Sequence, residues 1–363
     1  MIDRRRERLD ALRRRLSEEG LDALLVSYGA NVRYLTGFSG SSGIALVTPA
    51  DVLLLTDFRY RSQAVEEVGD LARVEIDDAS LLDRLFAVLP DYPSVAVIGF
   101  EAHVVTVRDG ARLGDPARQW RFTPTSDLVE SLRAVKAPEE VAAIREAGRV
   151  ATSALAEVTP LLRVGLTECE VAALLEAALR RGGSEAHPFD TIVASGPRAA
   201  LPHARTGGRA VERGEWLLLD FGAQWDGYCA DVTRTFLVGA APDRRQREVY
   251  DVVSEAQAAA IARLRPGLTG REGDALARDP IAAAGFAEEF AHSLGHGLGL
   301  EVHEAPRLSR ASEQPLPAGA VVTVEPGVYL PGWGGVRIED DILLGDEGTT
   351  VLTEFPRELV VLG

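Results

Sequence analysis

The chain has 363 residues, 46% hydrophobic and 26% charged, an ordinary globular make-up with room for two domains and a sizeable core. A formal net charge of −16 leaves no basic stripe to neutralise phosphates, which argues against nucleic acid as the main partner. No run approaches the length of a membrane span, and the two cysteines, Cys169 and Cys229, lie far apart, so a reduced, cytoplasmic setting is expected rather than a disulfide framework.

The first 26 residues are rich in arginine and in acids and lack the uninterrupted apolar core of a signal peptide. Leu9, Leu12 and Leu16 recur at helical spacing, which predicts an amphipathic surface helix. Residues 21–29 read as a strand ending at a turn, and 31–38 lead into a loop of small residues over 39–43. That loop lacks the Gly-Lys-Ser/Thr ending of a phosphate loop. A hairpin follows, with Pro49, Ala50 and Asp51 at its turn. Helices are expected over 58–68, 80–89 and 105–113, with strands over 72–76 and 94–100 between them. The alternation predicts an α/β domain ending near Leu128, without a catalytic constellation.

The texture then changes. Pro138 opens a helix with Glu139 and Glu140 in its first turn and Val141, Ile144, Ala147 and Val150 on one face. Thr167 and Glu170 form a capping box for a second helix, which ends at Gly182-Gly183. A strand over 190–196, a hairpin over 216–236, a helix over 244–263 and strands and turns from Ala318 onward make the second half α+β.

The chemistry is concentrated in that half. In the hairpin over 216–236, Asp220 and Asp231 pair directly if the turn centres between Trp225 and Asp226, and diagonally if it centres on Asp226-Gly227. In both registers the carboxylates share one face, at a cost that a bound cation removes. Cys229, two residues before Asp231, is read as a buried structural thiol. Five of the six histidines fall between His187 and His303, and His292, His296 and His303 sit in a Gly-rich run that suits a ligand loop through close backbone approach and unusual dihedrals. A second hairpin turns within 331–335 and carries Glu325 on its first arm and Glu339 on its second, with Arg337 as a nearby cation. Four carboxylates and one imidazole are too many for a zinc tetrahedron. They fit two divalent cations roughly 3.5–4 Å apart, bridged by carboxylate and hydroxide, and oxygen-rich ligation favours manganese-like ions.

The order Asp220, Asp231, Gly295-His296-Gly297, Glu325-Pro326-Gly327, Arg337-Ile338-Glu339 resembles that of the pita-bread metallopeptidases: methionine aminopeptidase, aminopeptidase P and prolidase. The resemblance runs from about Lys136 to the end of the sequence. It implies a creatinase/prolidase-like α/β N-terminal domain over 1–130, which methionine aminopeptidase lacks, and an α+β pita-bread catalytic domain over 131–363. By resemblance, Asp220 holds one metal, Asp231 and Glu339 bridge, and His296 and Glu325 hold the other metal. Glu325 is also the general base or proton shuttle. His203 and His303 bind substrate and steady the scissile carbonyl and the oxyanion. Phe189 and Val302 line a proline pocket. Tyr329 and Arg337 position Asp220 from behind, with Arg337 counted among the catalytic residues, and His292 supports the site. One departure is Arg198, in Gly196-Pro197-Arg198, where relatives commonly carry Asn.

The resemblance further implies metal-dependent hydrolysis of Xaa-Pro bonds by a hydroxide bridging two ions, manganese first, with cobalt or zinc as alternatives, in a homodimer. The compact chain favours Xaa-Pro dipeptides, as in prolidase. The alternative is an aminopeptidase P acting on longer peptides. A non-catalytic peptide-binding protein on the same fold is a further reading, disfavoured because such proteins usually lose the ligands that this chain keeps; the same five ligands argue against a metal-free hydrolase like creatinase.

Overall fold

Short apolar runs form one mixed sheet in the first of the two units into which the chain divides, Met1–Arg133 and Ala134–Gly363. The structure, a computed structural model, describes residues 3–77, 80–346 and 348–363. In the first unit the strands are β1 (Ala23–Val26), β2 (Gly43–Val47), β3 (Val52–Thr56), β4 (Arg73–Ile76), β5 (Val97–Glu101) and β6 (Arg121–Thr125), in the order β4-β3-β2-β1-β5-β6. The helices are α1 (Arg5–Glu18), α2 (Gly29–Thr36), α3 (Arg61–Val68), α4 (Leu81–Val88), α5 (Val107–Leu113) and α6 (Glu130–Arg133). Leu9, Leu12 and Leu16 are the buried stripe of α1.

Three elements here escape the sequence reading, α2, β6 and the single-turn α6. Helix α2 is only eight residues long, too short for periodicity to declare itself, and ends at Gly37 with φ 82°. Strand β6 contains Pro124, which lowers its strand signal but is tolerated because β6 is an edge strand.

In the second unit, helices α7 (Pro138–Val158), α8 (Glu168–Arg181), α9 (Arg244–Arg263) and α10 (Gly270–Ala283) flank three sheets. One is β17-β9-β8-β7, from β7 (Ile192–Ser195), β8 (Trp216–Trp225), β9 (Tyr228–Val238) and β17 (Val361–Leu362). The second is β11-β10-β12-β15-β16, from β10 (Gly295–Gly297), β11 (Glu304–Leu308), β12 (Val321–Val324), β15 (Asp340–Gly345) and β16 (Gly348–Val351). The third pairs β13 (Gly327–Leu330) with β14 (Gly334–Arg337). Helix α10 also escapes the sequence reading. Gly270, Gly273 and Pro280 depress its propensity, although Thr269 and Glu272 cap it in a box. No described helix is long and apolar enough to cross a membrane.

Period-2 alternation in β8 and β9 places the site. Leu217, Leu219, Phe221 and Ala223 of β8, with Val232, Phe236 and Val238 of β9, pack with α7 and α8. Trp216 and Leu218 of β8, with Leu237 of β9, join a second core with α9, α10, β12, β14 and β15. Asp220 and Asp231 belong by parity to this second face, so they point at the rest of the second unit and not at α7 and α8.

Candidate metal centre

The first hairpin closes with Trp225 opposite Tyr228. Asp226 and Gly227 are its two turn residues, with φ of 48° and 75°, the positive pair that a two-residue hairpin turn needs. Glu185 accepts both turn N–H groups, at 2.8 and 2.9 Å. Asp220 therefore faces Thr233, and Asp231 faces Gly222, which puts the two acids on a diagonal.

The second hairpin departs from expectation in an informative way. Glu325 and Glu339 do not lie in strands. β12 pairs with β15 up to Val324 opposite Asp340, and β13 pairs with β14 from Gly327 opposite Arg337. The register is the same on both sides of the gap, so the two glutamates fall opposite each other where the ladder opens. Their backbone N–H groups turn to other elements: Glu325 donates to Leu294 O at 2.9 Å and Glu339 to Thr233 O at 3.1 Å.

His296 reaches the same place from β10. A Cβ on Gly295 would sit 2.0 Å from Thr323 O, and one on Gly297 2.2 Å from Ala305 O. The glycines thus let β10 thread between β12 and β11. Close approach is what they provide; neither has the positive φ that the sequence reading allowed. The His296 Nδ1–H donates to Gly297 O at 3.1 Å, which leaves the Nε2 lone pair facing Glu325 at 3.4 Å and Asp231 at 3.9 Å. Ligand atoms of Asp231, His296 and Glu339 lie within 4.8 Å of one another, and all three residues are buried.

Supporting residues fix these groups. Arg337, 3% exposed, donates to Asp220 Oδ2, to Tyr329 OH at 2.8 Å and to Thr233 Oγ1 at 3.1 Å. The Thr233 hydroxyl in turn donates a hydrogen bond to Glu339 Oε2. Tyr329 donates onward to His292 Nε2 at 2.9 Å, and His292 Nδ1–H donates to Ser293 O at 2.8 Å. Thr323 accepts the His296 N–H and donates to Glu325 Oε1. The sequence reading missed both threonines. Each lies two residues from an acid, Thr233 after Asp231 and Thr323 before Glu325, so period-2 logic had the signal to find Thr233 at least.

Electrostatics sharpen the picture. Burial, then repulsion from Glu339 and Asp220, pushes the Asp231 carboxyl well above the usual carboxylate range. Burial and Glu325 do the same to Glu339. Burial carries Glu325 up to about 8 against the pull of Arg337. His296 is pushed down to about 3 by burial, with His303 adding to it, so its imidazole is neutral. Asp220 Oδ1 and Asp231 Oδ1 are buried without a hydrogen-bond donor among the described residues. Inward lone pairs, excess negative charge and orphaned carboxylate oxygens are what a hard divalent cation would satisfy, so the donor set fits one.

The cluster opens on a cleft of about 1010 Å³ within the second unit. His203, His303, Phe189 and Val302 line it, as do Asp220, Asp231, His296, Glu325, Arg337 and Glu339. The His303 ring stands edge-on to His296, 4.3 Å between centroids. Tyr329 lies behind this lining, reached through Arg337 and His292. Arg307, opposite His296 across the β10–β11 ladder, also faces the cleft. No local pattern marks it in the sequence, because its place depends on that pairing. Cys229 is buried, as read, with its thiol against Leu300 O.

Comparison with known proteins agrees with this geometry. Residues 142–346 match the model of metallopeptidase family M24, and residues 8–135 match that of the creatinase/prolidase N-terminal domain. An Xaa-Pro dipeptidase of Pyrococcus furiosus is 35% identical over 98% of this chain and all of its own length. Among solved structures, an Xaa-Pro dipeptidase from Bacillus anthracis superposes with a TM-score of 0.95 at 40% identity, covering 99% of this chain and 100% of that one. An X-Pro aminopeptidase from Thermotoga maritima gives a TM-score of 0.90 at 39% identity, covering 98% and 99%. With both of its units matched and its buried cluster of acids and histidine in the cleft, the chain belongs to metallopeptidase family M24, the pita-bread enzymes, in the branch that carries a creatinase/prolidase N-terminal domain.

Proposed function

We propose that the chain hydrolyses Xaa-Pro peptide bonds, with Xaa-Pro dipeptides as its preferred substrates. The observation that carries the reading is the opening of the Asp231, His296 and Glu339 cluster onto a cleft lined by two further histidines and by Phe189 and Val302. Asp220, Asp231, His296, Glu325 and Glu339 would hold two divalent cations, manganese by the preponderance of oxygen donors. When bound, such ions supply Lewis acidity and a water ionised near neutral pH.

The chain's own groups do the rest. Phe189 and Val302 offer apolar surface to the proline ring, which has no N–H to satisfy. His203 and His303 hydrogen-bond the scissile carbonyl and the oxyanion that develops from it. Glu325 takes the proton of the attacking water and returns it to the proline nitrogen as the bond breaks. Arg337, fixed by Tyr329 and Thr233, keeps Asp220 oriented. Arg307 favours the dipeptide: it is a cleft cation with no carboxylate within ion-pair distance among the described residues, and a dipeptide ends in a carboxylate where a longer peptide has an amide. The same reading has the enzyme act as a cytoplasmic homodimer, which sedimentation checks.

The test measures release of the first residue from Xaa-Pro and from Xaa-Pro-Yaa-Zaa with added manganese. Faster cleavage of the dipeptide is expected. Comparable or faster cleavage of the tetrapeptide would assign the chain to the aminopeptidase P reading, and no cleavage of either would leave only a peptide-binding role.

A further inference from the structure

We propose that Arg198 is a positioning residue for His203, acting with the buried Glu168 as a clip on the two ends of the loop that carries this histidine. The inference rests on the role given to His203 above.

Glu168 opens α8, and its carboxylate is fully buried, 0% exposed. It faces away from solvent into the segment before and after His203. On the near side it accepts the backbone N–H and the hydroxyl of Ser195, each at 2.9 Å, and the Arg198 Nε, at 3.0 and 3.1 Å to its two oxygens. On the far side it accepts the N–H of Gly207 at 3.0 Å. Arg198 then spans the loop a second time: while Nε stays on Glu168, Nη2 donates to the carbonyl of Arg205, two residues beyond His203. Within the loop, Pro202 O accepts from Arg337, the same guanidinium that holds Asp220. His203 is therefore pinned between a clip behind the loop and the arginine of the metal cluster.

Two roles for Arg198 are separable. A bare counter-charge for a buried carboxylate needs one cation, which lysine supplies. A clip needs two donors aimed in different directions from a planar head, which lysine does not supply. Misplacement of a substrate-binding group by about 1 Å costs up to about 100-fold in rate, so loss of the second arm has a measurable reach.

The experiment compares the parent, Arg198→Lys, His203→Ala and the double variant on one Xaa-Pro dipeptide with saturating manganese. Melting temperature and bound manganese are measured alongside. The expected result is that Arg198→Lys keeps the parent's melting temperature and metal content, loses about tenfold in kcat with little change in KM, and loses less than about twofold when His203 is already alanine. Arg198→Gln, which keeps neither charge nor fork, serves as the second variant. It lowers the melting temperature as well as kcat, and its kcat loss also shrinks without His203. Parent-like kcat in Arg198→Lys would overturn the proposal, leaving Arg198 as a counter-charge. So would an undiminished loss in the His203→Ala background. If His203→Ala alone is as active as the parent, the underlying role of His203 fails first and carries the clip with it.

Discussion

Replacing Asp231 by asparagine separates the cost of the site from its purpose. Asp231 is 5% exposed, its Oδ1 has no donor, and Glu339, Asp220, Asp341 and Glu325 all repel it. Asparagine keeps the shape, is neutral without taking up a proton, and brings amide N–H groups that can donate to these acids. A hydrogen bond to a charged group contributes about 1.5–3 kcal/mol. Taking about 2 kcal/mol, and roughly 2–4 °C per kcal/mol for a unit of this size, Asp231→Asn melts about 4–8 °C above the parent in chelator. Manganese at a thousandfold over its dissociation constant stabilises the parent by about 4.1 kcal/mol, whereas the variant, with one of the proposed ligand carboxylates gone, gains little. The order of melting temperatures therefore reverses on adding metal, and hydrolysis is lost in the variant. Scanning calorimetry in chelator and in manganese, with a dipeptide assay on the same samples, reads all three. A variant that melts below the parent in chelator, or that gains as much from manganese, would refute the reasoning.

Further outcomes follow from the same geometry. The raised carboxyls of Asp231, Glu339 and Glu325 bind more protons folded than unfolded, so in chelator stability falls as pH rises from about 4.5 through about 8, the value reached by Glu325; urea midpoints at pH 5, 7 and 8.5 should decrease in that order, and a rising series contradicts it. Tyr329→Phe frees Arg337 and His292 from their shared partner and should cost about 10–100-fold in metal affinity or turnover, read by manganese titration of activity; parent-like values on both axes would remove Tyr329 from the site. Arg307→Ala should lower kcat/KM about 10–100-fold for Xaa-Pro, the worth of a charge-assisted hydrogen bond, and leave Xaa-Pro-amide nearly unchanged; equal losses on both count against a carboxylate contact. Gly295→Ala drives a Cβ to 2.0 Å from the Thr323 carbonyl, backbone that cannot yield cheaply, and should cost about 3 kcal/mol or more in urea unfolding; a change within about 0.5 kcal/mol would mean that β10 has room to spare.

Most of the site could be read from residue order because its acids sit on local hairpins. The alternation in β8 and β9 put Asp220 and Asp231 on one face in either register, and the positive φ of both Asp226 and Gly227 selects the diagonal one. What stayed hidden depends on partners distant in sequence. The second hairpin was legible, but not the break at Glu325 and Glu339, because that break exists through backbone bonds to Leu294 and Thr233. Arg307 reaches the cleft only through β10–β11 pairing. Arg198 stood out as a departure from the family pattern, yet its work is set by Glu168, thirty positions earlier in the chain. Helices α2 and α10 were lost for a different reason, one being too short and the other too rich in glycine and proline for periodicity to speak.

The opened ladder of the second hairpin has a mechanical consequence. Because β13 and β14 keep the register of β12 and β15, the ribbon beyond the gap works as the handle of a pair of callipers whose jaws are Glu325 and Glu339. The three residues at its tip, Pro331, Gly332 and Trp333, set the alignment of two acids they do not touch. The tip is itself held in place, Gly332 by a φ of 79° and Trp333 by its edge-on contact with Trp216, and a single inserted or deleted residue in either arm between the tip and the gap slips one jaw past the other. The spacing of the site is thus stored in the length of a ribbon, a quantity that residue-by-residue comparison of the ligands alone never records.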